Sequence, residues 1–134
     1  MAATYEINNE LRTLADKVMN EYKDVSHLKE HASHIQYLTC DMKKGKGDGS
    51  ILVYADTQKV TEKYKTLTGF DFVITFYTPN AEGLDDKQME ILMWHELKHV
   101  GYLDDGSCRI IPHDLEDFKA VIDRYGVDWD SKHN

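Results

Sequence analysis

The 134-residue sequence predicts a single α+β domain over 1–134, in which a three-stranded antiparallel or mixed sheet packs against helices and a central helix carries His-Glu-x-x-His. Three observations lead there. Segments of helical and strand periodicity follow one another as helix, strand, strand, helix, strand, helix, helix, with no repeat and no long linker. The length suits one hydrophobic core rather than two. The stretch from Met89 to Val100 is apolar nearly all round, through Met89, Ile91, Leu92, Met93, Trp94, Leu97 and Val100, a pattern that belongs to a helix enclosed by the rest of its fold.

Each element has its own signal. Ile7, Leu11, Leu14, Ala15, Val18, Met19 and Tyr22 recur at helical spacing and predict a helix over 6–23. Ile35 to Cys40 alternates apolar and polar side chains as a strand does, and a Lys/Gly loop, Lys43-Lys44-Gly45-Lys46-Gly47, leads to a second strand, Ser50 to Ala55, expected as its hairpin neighbour. Val60, Tyr64 and Leu67 predict a helix over Thr57 to Leu67, with Asp56 or Thr57 as cap and Gly69 as terminator. Phe70 to Tyr77, dense in β-branched and aromatic residues, is the strongest strand signal. After the turn at Pro79 to Gly83, Asp85 with Gln88 three residues on makes a capping box, and Gly101 is read as the stop of the central helix. An irregular stretch then reaches Pro112, which opens a last helix, His113 to Tyr125, closed by Gly126.

Composition excludes several functional classes. A formal net charge of -8 argues against nucleic acid as the main partner, because binding a phosphate backbone needs basic surface. No apolar run approaches the roughly 18 residues of a membrane span. The first residues, Met1 to Glu6, lead into a polar amphipathic segment, so no secretory signal is expected. Cys40 and Cys108 are widely separated and are expected as free thiols, which points to a reducing, cytoplasmic setting.

The pentapeptide His95-Glu96-Leu97-Lys98-His99 carries the chemistry. Residues four apart on a helix share a face, so two imidazoles can converge on one Zn²⁺ per chain, while Glu96, one step round, can reach a water held by that metal as general base. Two His leave a catalytic zinc one protein ligand short. Candidates are His113, Asp105, Glu116 and Asp117, and His113 is preferred because it opens a helix after a loop able to fold back over the first. Asp105 would copy a compact layout with a ligand six residues after the second His, but Gly101 stands one residue early for it. Asp71, Asp114 and Asp117 are candidates to orient the imidazoles, and Tyr102 or Tyr125 to donate to a developing oxyanion, although either Tyr is more often a packing residue. The strand Phe70 to Tyr77 is expected as a sheet edge that receives an extended peptide. His27, His31 and His34 also fall at helical spacing, but with no acidic or Cys partner at matching positions they read as a solvated face.

From about Ile35 to Phe118 the chain resembles the phage metallopeptidase family, on the parts Gly69-Phe70-Asp71-Phe72-Val73-Ile74, His95-Glu96-Leu97-Lys98-His99 and His113-Asp114-Leu115-Glu116-Asp117-Phe118. More widely it is similar to SprT-like and other minimal gluzincin folds. The resemblance implies a small zincin-like domain, His95, His99 and His113 as zinc ligands, Glu96 as general base, and a zinc-dependent peptidase of phage or prophage origin acting in the host cytoplasm. Spacing alone leaves two other readings open: a non-catalytic, zinc-stabilised binding protein, and a metal-dependent hydrolase of a non-peptide substrate.

Overall fold

A computed structural model describes residues 2–46 and 51–112. The predicted helix His113 to Tyr125, and with it His113, Asp114, Glu116, Asp117 and Tyr125, lies outside the described residues. The fold is α+β, as expected, but its main sheet has four strands rather than three, in the order β1-β2-β6-β5.

The extra strand is β1 (Tyr5–Ile7), whose residues the helical periodicity had drawn into the first helix. It pairs antiparallel with β2 (Ile35–Cys40), and Asn8 then caps α1 (Asn9–Glu21) by accepting a hydrogen bond from the Leu11 backbone N–H at 2.9 Å. The first helix is therefore shorter than 6–23 because an Asn cap gives it a definite start. A 3-10 stretch, Lys23–His34, returns the chain to β2 and buries Val25 and Leu28. Arg12 fixes that return by donating to the carbonyls of Ala32 and Ile35 at 3.2 and 3.0 Å.

The second half of the sheet departs most from expectation. The Lys/Gly segment forms only a two-residue ladder, β3 (Gly45–Lys46) with β4 (Ile51–Leu52), and is not a partner of β2. The next strand is β5 (Ala55–Lys59), which takes up residues assigned from sequence to the start of a helix. The helix that remains, α2 (Glu62–Thr68), ends where predicted, at Gly69 with φ +79°, a conformation that favours glycine. It buries no side chain, and Tyr64 and Leu67 point to solvent. β6 (Phe72–Tyr77) runs between β2, to which it is parallel, and β5, to which it is antiparallel. The expectation that Phe70 to Tyr77 forms an edge for a peptide is thereby corrected. A strand this rich in β-branched and aromatic residues is hydrogen-bonded on both sides, and the edges of the sheet are β1 and β5.

Alternation along the paired strands divides the sheet cleanly. Ile35, Tyr37, Phe72, Ile74 and Phe76 face one side and are almost fully buried. Against that side lie α1, the 3-10 stretch and α4 (Asp86–Leu97), which follows a short helix, α3 (Thr78–Ala81). The predicted capping box is present, with Asp85 accepting from the Gln88 backbone and Gln88 from that of Asp85. A hairpin of β7 (Val100–Tyr102) and β8 (Cys108–Ile110) closes the described chain, and β8 also packs beside β5.

Candidate metal centre

The last turn of α4 and the turn after it build the site. His95 and Glu96 belong to the helix, whose final residue is Leu97, and both are buried. His99 lies beyond the helix end, in a tightened turn where its backbone N–H donates to the Glu96 carbonyl at 3.0 Å. Gly101 is consequently not the helix stop expected from sequence. It is a strand residue of β7, with no left-handed backbone, and its need for glycine is steric: a Cβ there would stand 2.8 Å from Ile111 Cγ1 and 2.9 Å from the Arg109 carbonyl oxygen.

That close approach brings the chain back over the helix end. Ile111 donates its N–H to the His99 carbonyl at 2.8 Å, and its own carbonyl oxygen lies 2.7 Å from His99 Nδ1. A carbonyl only accepts, so Nδ1 carries a proton, which leaves Nε2 as the nitrogen a metal could take. A ring nitrogen held by a backbone carbonyl is the usual way a metal-binding imidazole is oriented. The rings of His95 and His99 meet edge to face, 5.2 Å between centroids. One ligand atom each from His95, Glu96 and His99 lie within 4.8 Å of one another, and among the described residues this is the group that can hold a metal ion. Two imidazoles and a carboxylate at such separations fit a divalent transition metal.

Sequence reasoning missed one residue of this site. Thr57, on the edge strand β5, donates to Glu96 Oε1 at 2.9 Å and lies 3.1 Å from the Glu96 carbonyl oxygen. Read as a helix cap, it gave no local sign of a partner on α4.

Other candidates are engaged elsewhere. Asp105 accepts from the Ser107 N–H and hydroxyl within an exposed turn of the β7–β8 hairpin, which explains why its carboxyl is held below the usual range. Asp71 accepts from Tyr102 Oη at 2.8 Å and pairs with Lys65 at 3.1 Å, with His34 3.7 Å away. The Tyr102 hydroxyl is thus committed to Asp71, and its ring stacks on His31 at 3.7 Å. Burial, reinforced by the bond to Asp71, pushes the Tyr102 hydroxyl well above the ordinary phenol range. His31 and His34 belong to this packing cluster.

A family model described as "Putative phage metallopeptidase" matches residues 3–133, nearly the whole chain. The chain belongs to that family. Membership in the phage metallopeptidase family brings with it a metal ion and a peptide or protein substrate, and the cluster of His95, Glu96 and His99 is where, among the described residues, a metal could bind. No curated protein and no solved structure matches the chain. Among the described residues, no helix is long and apolar enough to cross a membrane.

Proposed function

We propose that this member of the phage metallopeptidase family is a zinc-dependent peptidase of phage or prophage origin, with His95 and His99 as metal ligands and Glu96 as general base. The observation that carries the proposal is the convergence of those three side chains within 4.8 Å at a helix end whose second imidazole is oriented by a backbone carbonyl. Zinc bound there would supply Lewis acidity, lowering the pKa of a water toward about 7 and polarising the scissile carbonyl. As general base, Glu96 would accept a proton from an attacking water as the water's oxygen bonds to the carbonyl carbon, and would return it to the amine nitrogen as the C–N bond breaks.

His113 is proposed as the third ligand. The support is positional: the Ile111 carbonyl already touches His99, so the chain reaches the site two residues before His113. Asp105 has its carboxylate occupied by Ser107, while Glu116 and Asp117 are the remaining alternatives. The peptide is proposed to add to β5, the edge that the Thr57–Glu96 contact places beside the base, instead of to β6.

Metal analysis of purified, zinc-loaded protein is expected to give about one zinc per chain. Glu96→Ala is expected to keep that zinc and lose turnover of a denatured protein substrate. Undiminished turnover would remove Glu96 as base, and no retained zinc in the wild type would overturn the proposal as a whole. His113→Ala is expected to weaken zinc binding heavily; an unchanged affinity in a chelator competition would transfer the third position to a helix carboxylate.

A further inference from the structure

We infer that Thr57 is a positioning residue for Glu96, a hydroxyl on the edge strand that fixes the orientation of the base. This rests on the reading of Glu96 given above. Thr57 pairs with Ile74, a fully buried core residue, so register alone turns its side chain toward the helix layer. Its Oγ1 then meets two acceptors of one residue, Glu96 Oε1 at 2.9 Å and the Glu96 carbonyl oxygen at 3.1 Å. A hydroxyl has one proton to give. The carbonyl already accepts from the His99 N–H at 3.0 Å, and Oε1 is the nearer of the two acceptors, so the proton goes to Oε1.

The residue types suit this task. A Glu side chain loses appreciable rotamer freedom when it is ordered, and a base must be ordered before it can act. Threonine is stiff about χ1, and here it sits mid-strand with its backbone held in the β5–β6 ladder, so its hydroxyl is in place beforehand. A strand and a helix whose residues lie 39 apart in sequence thus meet at one carboxylate oxygen. The contact spans the seam between the sheet edge and the helix layer, which makes Thr57 a gauge of how β5 sits against α4.

Thr57→Val keeps the β-branched shape and removes the proton; Thr57→Ser keeps the proton and removes the methyl group. Two readouts on the full chain, one of them independent of activity, decide the matter. In crystals of the metal-free protein, Thr57→Val is expected to move Glu96 to a different side-chain rotamer, with Thr57→Ser retaining the wild-type one. In peptide hydrolysis, Thr57→Val is expected to lower kcat about 10- to 100-fold with KM within about twofold, and Thr57→Ser to recover most of it. An unchanged Glu96 rotamer in Thr57→Val, or a kcat loss accompanied by zinc loss or a lower Tm, overturns the inference, since the residue would then be neutral or merely structural. If the wild type hydrolyses no peptide, the proposed function fails by itself, and the rotamer comparison still decides what Thr57 does.

Discussion

Glu90 shows how a buried charge is made tolerable at the scale of one residue. Its carboxylate is almost fully enclosed between α1 and α4, yet Lys17 reaches one oxygen at 2.9 Å, and Lys87 and Tyr22 Oη reach the other at 3.0 and 2.8 Å. Burial alone would raise its pKa; the hydrogen bonds from Lys17, Lys87 and Tyr22 outweigh that and hold it down to about 2. The folded value lies below the ordinary 4.5, so the stabilisation is present in full above pH 4.5 and is lost as the pH falls toward 2. With solvent screening of the exposed Lys17, the amount is about 2–3 kcal/mol. Glu90→Gln is expected to flatten the acid limb of a urea-unfolding stability profile between those two values and to lower stability at neutral pH. A limb of unchanged steepness would mean that other carboxylates control acid unfolding. The sequence does not announce this residue, because two of its three donors, Lys17 and Tyr22, lie outside α4 and are brought to it only by the fold.

The β7–β8 hairpin is the element that carries the site outward from α4. Gly101 sets its tightness, because neither the Arg109 carbonyl nor the Ile111 side chain has room for a methyl group at that position. Gly101→Ala should therefore cost about 1–3 kcal/mol of stability. It should also displace the Ile111 carbonyl from His99, with zinc affinity falling about 10- to 100-fold. Calorimetry and a chelator titration read the two effects separately; a lower Tm with unchanged zinc affinity would show that Ile111 does not orient the ligand. Legibility differs sharply between elements. α4 could be read from its capping box and apolar run because both are local, and β6 from its composition for the same reason. β5 could not: Ala55-Asp56-Thr57-Gln58-Lys59 has one apolar side chain and no alternation to announce a strand, and it exists because β6 offers it an edge to pair with. α2 is the converse case: Tyr64 and Leu67 do share a helix but point outward rather than into the core, and Val60 lies before the helix begins.

At the scale of the described fold, one face of the mixed sheet carries α1, the 3-10 stretch and α4, and the candidate site lies where that layer reaches the β5 edge. The fold class and the three converging side chains follow from local sequence patterns, whereas strand order does not, since nothing in Ile35 to Cys40 specifies a parallel neighbour more than thirty residues away. That parallel pair has a kinetic side. α4 is assembled from nearby residues and its own caps, but Thr57 reaches Glu96 only once β2 and β6 have found each other and β5 has joined the edge, contacts that carry the loop-closure cost of long sequence separation. The Thr57–Glu96 contact is therefore the contact at the candidate site that reports a finished sheet, since neither of its residues can reach the other until the strand pairing is in place.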